Sequence, residues 1–370
     1  MIRISRAHLN VEAHTHQGMT GKNNEDRYAV ASFHASNKDR TPILFAVLAD
    51  GIGGHKGGEV AAELAVNHIM QSVAKGDGKF SKHIIEQAVN EASSAIAAHA
   101  STNDSLKGMG ATCAIAWIID NKLHTAYVGD SRIYLMRGGR IQQLTVDHSW
   151  VQEAIEKGIL TPELAREHPN VHVIRRYLGS TVPPEPDFRL NLFDGEGAHH
   201  AENNQGVEIQ PNDVLLLCTD GLTDLVWNDE ILEVVRTKPN LKEASRALVN
   251  LANERGGHDN TTVVLIGAPG DFRSKTAPRK KKAGWVQWAI GGILGLIVIG
   301  AVASILSFNL LRRGGGVTAT PAVSGPLPAL VTETPSPLPS LTVVPTDTSA
   351  PDVVLPTASL TPWPTNTVSP

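Results

Sequence analysis

The run TCAIAWIIDNKLHTAYVGDSRIYLMRGGRIQQL, residues 112–144, decides the fold class. It contains four short strand candidates, 112–119, 122–128, 132–136 and 140–144. Asp120-Asn121, Gly129-Asp130 and Gly138-Gly139 separate them, and such dipeptides make tight turns. Strands joined by tight turns run antiparallel. Working outward, residues 43–49 and 214–218 are continuous apolar runs and read as buried strands, and 260–266 reads as a last strand entered through Asp259. Apolar residues at helical spacing place helices over 59–73, 84–98, 150–166, 229–236 and 241–254. Hairpins with helices in pairs, and no regular strand–helix–strand alternation, argue for a layered α+β domain over residues 1–268. The polar stretch 194–206 reads as an exposed loop with His199 and His200 in solvent.

The rest of the chain differs in composition. Lys and Arg total 33 and Asp and Glu total 37, so the net charge is −4, with no global attraction to nucleic acid. Two cysteines, Cys113 and Cys218, exclude a disulfide scaffold and a four-cysteine zinc site. Residues 285–311 are 27 consecutive positions without a charge, enough for a transmembrane helix. Trp285 and Trp288 suit an interfacial belt at its start. Residues 269–284 form a basic juxtamembrane linker carrying six Lys and Arg, whereas only Arg312 and Arg313 follow the span closely. The positive-inside rule then predicts a single-pass plasma-membrane protein with its N-terminal domain in the cytoplasm. Residues 312–370 hold 12 of the 22 prolines among Thr and Ser, and read as a disordered extracytoplasmic tail.

Two apolar strands end in Asp-Gly, at Asp50-Gly51 and Asp220-Gly221. Asp259 stands just before a strand, Asp130 in a turn between strands, and Glu25 and Asp26 follow Asn23-Asn24. Carboxylates gathered at strand ends repel one another unless a cation neutralises them. With oxygen ligands and no Cys/His cluster, hard octahedral cations such as Mg²⁺ or Mn²⁺ are favoured over Zn²⁺.

In order along the chain come Asn24-Glu25-Asp26, Asp50-Gly51-Ile52-Gly53-Gly54-His55, Gly110-Ala111-Thr112, Gly129-Asp130-Ser131-Arg132, Asp147-His148-Ser149, Asp220-Gly221-Leu222-Thr223-Asp224 and Asp259-Asn260-Thr261-Thr262. This series resembles that of the metal-dependent, type-2C Ser/Thr protein phosphatases in their bacterial form, over roughly residues 13–268. The resemblance implies a four-layer αββα sandwich with two Mn²⁺ or Mg²⁺ ions at one end of the sheets, and a weaker third. It implies that Asp50 bridges the pair, that the Gly51 carbonyl, Glu25 and Asp26 serve one ion, and that Asp220 and Asp259 hold the other. Asp130 and Asp224 match ligands of the third ion, and Asn260 is expected to orient Asp259. The implied reaction is hydrolysis of phosphoserine and phosphothreonine in proteins by a hydroxide bridging the two ions, with Asp50, Asp220 and Asp259 central to catalysis. Phosphoproteins, and Ser/Thr kinases opposed at the membrane, are the implied partners.

Two positions depart from the family pattern. Gly21 stands where an Arg usually grips the substrate phosphate, which leaves Lys22 as the candidate for that contact. Ile52 stands where some relatives carry a His proposed as general acid, and His55 reads as structural. Residues 147–179 match the family's variable flap, with Arg175 and Arg176 read as a solvated pair. Two rival readings are a catalytically weak pseudophosphatase acting as a binding module, and a nucleotide site cradled by residues 51–58. The latter lacks the Gly-Lys-Ser/Thr ending.

Overall fold

Along residues 43–49, Ile43, Phe45 and Val47 face one apolar core while Leu44, Ala46 and Leu48 face another. Strand side chains alternate between faces, so a continuous apolar run belongs to a strand covered on both sides. The computed structural model describes residues 1–53, 57–102 and 104–270. The expected linker beyond residue 270, the span 285–311 and the tail lie outside the described residues, as does His55.

From the start of the chain come β1 (Ile2–Ile4), β2 (Asn10–His16), β3 (Arg27–His34), β4 (Pro42–Ala49) and β5 (Gly51–Ile52), then α1 (Gly57–Ala74) and α2 (Lys82–Ser101). Next are β6 (Gly110–Ala111), β7 (Cys113–Ile119), β8 (Lys122–Val128), β9 (Arg132–Arg137) and β10 (Arg140–Gln143), then α3 (Trp150–Glu156), α4 (Pro162–Arg166) and α5 (Ala198–Asn203). Last come β11 (Val207–Glu208), β12 (Val214–Cys218), α6 (Asp220–Thr223), α7 (Asn228–Thr237), α8 (Leu241–Glu254) and β13 (Thr261–Gly267).

One sheet has the order β1-β3-β4-β7-β8-β11 and the other β10-β9-β12-β13-β2, with antiparallel pairing throughout. Three cores define the layers. Ala62, Ile69, Ile85 and Ile96 of α1 and α2 pack on Phe45 and Trp117 of the first sheet. Leu44, Leu48 and Ile118 meet Leu215, Leu217 and Val264 between the sheets. Leu216, Val263 and Leu265 of the second sheet pack on Val235, Leu241 and Leu248 of α7 and α8. The result is helix–sheet–sheet–helix layering.

The structure corrects three readings. The Gly129-Asp130 link is no hairpin, because β8 and β9 belong to different sheets. Gly129 (φ 102°) turns the chain across the end of the sandwich, and a Cβ there would strike Thr112 at 2.6 Å. The helix expected over 150–166 is two. α3 stops at Glu156, Gly158 adopts φ 68°, and α4 restarts with Thr161 capping the Leu164 N–H and Pro162 in its first turn. Within 194–206, a short helix replaces the loop, burying Ala201 while His199 and His200 stay exposed. No apolar run spans β1, β2 or β3, because they are buried only in part. β2, sequence NVEAHTH, is an edge strand supported by seven register pairs with β13.

Candidate active site

Strand register gathers the acids at one end of both sheets. Arg27 pairs with Ala49, so Asp26, before β3, lies beside Asp50, after β4. Cys218 pairs with both Val263 and Arg132, which brings Asp220 towards Asp259 and Asp130. The Asp50 backbone is clamped from β7's side: its N–H donates to Thr112 Oγ1 (2.9 Å), and its carbonyl accepts from the Thr112 N–H (2.9 Å). Thr219 links the sheets, donating from Oγ1 to Asp26 Oδ2 (3.0 Å) while accepting from the Thr262 N–H (3.0 Å).

The electrostatics are those of a charge excess. Burial pushes the Asp26 carboxyl up to about 7, with Asp220 and Asp259 adding repulsion. Burial, then repulsion from Asp26, Asp220, Asp130 and Asp259, raises Asp50 well above the carboxylate range. Asp130 is raised by burial and by Asp220, and Asp224 reaches about 7 for the same reasons. Asp26 Oδ1 and Asp220 Oδ1 are buried without a hydrogen-bond partner. A buried anionic oxygen left so is costly, and a divalent cation beside it would relieve that cost. Gly58 completes the cradle. A Cβ on it would lie 2.6 Å from Glu25 Oε2 and 2.7 Å from the Gly51 carbonyl oxygen, so only glycine leaves room for both at the start of α1.

The family model for protein phosphatase 2C matches residues 13–261. The chain belongs to the protein phosphatase 2C family. Among curated relatives, the serine/threonine phosphatase stp of Listeria innocua is 33% identical over 262 residues, covering 70% of this chain and 95% of the relative. Among solved structures, the serine/threonine phosphatase of S. agalactiae superposes with a TM-score of 0.61 at 30% identity, covering 70% of this chain and 100% of the other. The catalytic domain of the phosphatase PstP, solved in complex with two manganese ions, superposes with a TM-score of 0.56 at 33% identity, covering 70% and 97%.

As a member of this family the chain has particular features. Asn260, expected to orient Asp259, contacts it through the backbone. The Asn260 N–H donates to Asp259 Oδ1 (2.9 Å). The buried Asn260 amide instead accepts from the Glu25 N–H (2.6 Å) and donates to the carbonyls of Gln17 and Asn23 (both 3.0 Å). It therefore holds the loop that carries Lys22 and Glu25. Lys22 is exposed on that loop. Gly21 has φ 76°, so an arginine there would be strained although a Cβ meets nothing within 4 Å. Arg175 faces Glu153 within the flap, and Arg176 bonds the Glu185 carbonyl just beyond it.

Sequence reading missed two flap residues at the site. His172 brings Nδ1 to 3.6 Å from Asp224 Oδ2 and 3.8 Å from Asp220 Oδ2. Facing Asp220 above all, its ring is raised to about 9. Arg166 of α4 donates to the carbonyls of Thr223 (2.6 Å) and Asp224 (3.0 Å) and stacks on Trp227, its guanidinium carbon 3.8 Å from the ring centre. The Trp150–Arg166 periodicity marked Arg166 only as a helix residue, and His172 sits in irregular chain with no signal.

Proposed function

We propose that this chain removes phosphate from phosphoserine and phosphothreonine in proteins with two divalent cations, Mn²⁺ or Mg²⁺. The observation that carries the reading is the convergence of Asp26, Asp50, Asp130 and Asp220 from both sheets, with orphaned buried oxygens on Asp26 and Asp220. Family membership and the manganese in the PstP structure support it. Asp50, the Gly51 carbonyl, Glu25 and Asp26 would hold one cation, Asp50, Asp220 and Asp259 the other, and Asp130 with Asp224 a weaker third. When bound, the cations supply Lewis-acid activation of water and neutralise charge developing at phosphorus. The chain's own residues do the positioning. Thr112 fixes the Asp50 backbone, and Thr219 occupies Asp26 Oδ2, leaving the buried Oδ1 open to a cation. Asn260 sets the loop from which Lys22, as a point charge, meets the substrate phosphate.

Residues 285–311 anchor the chain in the plasma membrane, with domain 1–268 on the cytoplasmic side and 312–370 outside, where the enzyme opposes Ser/Thr kinases of the same membrane. This part rests on the uncharged 27-residue run and on six basic residues before it against two after it. Deleting 285–311 should move the chain from the membrane to the soluble fraction, and retention in the membrane would overturn the anchor.

The catalytic test compares the full chain with Asp220→Asn on a phosphothreonine peptide, with Mn²⁺ and with EDTA. The wild type should release phosphate only with metal, and the variant should lose about 100-fold or more of that rate while still folded. Release that survives EDTA, or an unchanged variant, would refute the metal mechanism. A binding module with weak turnover is the second reading, favoured only by Gly21; a folded wild type that loads Mn²⁺ without releasing phosphate would select it.

A further inference from the structure

We infer that the end of the sandwich away from the catalytic acids is a docking surface for anionic phospholipid headgroups, and that docking turns the active site away from the bilayer. The inference rests on the membrane anchor proposed above and adds a facing direction for domain 1–268. Strand register defines the end in question. His34 pairs with Pro42, Ile119 with Lys122 and Arg137 with Arg140, so the links after β3, β7 and β9 all close it. The α1–α2 link joins them, since a Cβ on Gly78 would lie 2.9 Å from Ala35. So does the α7–α8 link, because a Cβ on Gly267, at the end of β13, would lie 2.8 Å from Leu241. Segments 35–41, 75–82, 120–122, 137–140, 208–213 and 236–242 make up this end. They hold 11 of the 25 Lys and Arg of residues 1–270 but only five of its 33 Asp and Glu. One of those five, Asp213, is buried in an ion pair with Arg137.

Lys38, Arg40, Lys79, Lys122, Arg140 and Lys242 are exposed here. Among the described residues none of the six is in an ion pair. Basic residues held this way are drawn to an anionic leaflet. The excess of acids elsewhere in the domain does not cancel that attraction. β4 alone spans eight residues, so the catalytic acids stand about 25 Å from this end, whereas the field of a charged surface decays over about 8 Å in physiological salt. The chain also leaves the described domain here. Gly270, its last residue, lies against Asn212, whose N–H donates to the Pro269 carbonyl (3.3 Å). In the sequence that follows, 273–282 carries six Lys and Arg ahead of the uncharged run 285–311. The 14 residues 271–284 extend to about 50 Å at most, which keeps the exit point close to the headgroups.

The test places the full chain in vesicles of phosphatidylcholine alone or of phosphatidylcholine mixed with phosphatidylglycerol. A fluorophore is attached through Asn37→Cys, exposed at the basic end, or through Thr102→Cys, exposed at the far end of α2; Cys113 and Cys218 are buried and stay unlabelled. In the anionic vesicles, lipid spin-labelled on its headgroup should quench the label at 37 severalfold more than the label at 102. The difference should collapse at high salt, and also in a chain carrying Lys79→Glu, Lys122→Glu, Arg140→Glu and Lys242→Glu. That chain should match the wild type in melting temperature and in phosphate release from a soluble phosphothreonine peptide, and the salt series reads the same contact without it. Equal quenching of the two labels in anionic vesicles, or a difference that persists at high salt and in neutral vesicles, overturns the docking surface. The anchor fails separately, as a chain that washes off neutral vesicles. If that chain still binds anionic vesicles with the label at 37 quenched, the docking surface holds without the anchor; if it binds neither, both fall.

Discussion

Gly221→Ala should damage this enzyme although it improves a local preference. Gly221 lies in α6 directly after Asp220, with no positive φ, so alanine fits the backbone and gains about 1 kcal/mol of helix propensity. A Cβ there, however, would sit 2.0 Å from the Asn260 carbonyl oxygen and 2.9 Å from its carbon. Ordinary contact begins at 3.4 Å, so α6 must retreat from the start of β13 by more than an ångström. That retreat strains two bonds between the segments, Thr219 N–H to the Thr262 carbonyl (3.2 Å) and Thr262 N–H to Thr219 Oγ1 (3.0 Å). Overpacking costs about 1–3 kcal/mol and each weakened bond about 1 kcal/mol. After the propensity gain, a net loss of about 2–4 kcal/mol remains. The same retreat parts Asp220 from Asp259, and a misplacement of about 1 Å costs about 100-fold in rate. Thermal melts, Mn²⁺ titration and kcat/KM on a phosphothreonine peptide read these effects. Gly197→Ala is the control, since a Cβ there meets nothing within 4 Å and its cost should stay under about 1 kcal/mol. A Gly221→Ala enzyme with unaltered melting, Mn²⁺ affinity and turnover would show that the α6–β13 contact does not set the spacing of these acids.

Three further outcomes are expected. The folded-state values of Asp26 and Asp224, near 7, lie above the roughly 3.9 of an unfolded Asp, so the metal-free fold holds these protons more tightly and loses stability as pH rises from about 4 through 7. The melting temperature in EDTA should fall from pH 5.5 to pH 8, less steeply in Asp26→Asn, and the gain from Mn²⁺ should grow over that range; a rise in EDTA would contradict the charge-excess account. Thr219→Val leaves Asp26 Oδ2 and the Thr262 N–H without their partner, so the metal-free chain should lose about 1–3 kcal/mol in a denaturant titration. Lys22→Ala should raise KM for a phosphopeptide severalfold with Mn²⁺ affinity intact, and an unchanged KM would remove Lys22 from phosphate binding.

The sequence alone determined the strands covered on both faces, the acids and their order. Runs such as 43–49 and 214–218 are apolar at every position, and only a strand covered on both faces satisfies that pattern. The Asp-Gly pairs at their ends were legible because a charge after a buried run can lie only where the sheet stops. Tertiary structure decided the rest. Gly129-Asp130 looked like one more hairpin, and only the three-dimensional packing shows it carrying the chain from one sheet to the other. Asn260 lies beside Asp259 in sequence, yet its amide bonds Gln17, Asn23 and Glu25, more than 230 residues away. His172 reaches Asp220 and Asp224 from an irregular flap without periodicity. Local sequence encodes what each segment buries, since burial is a property of its own side chains. Which distant segments then meet depends on how the whole sandwich closes, and no single stretch of the chain carries that information.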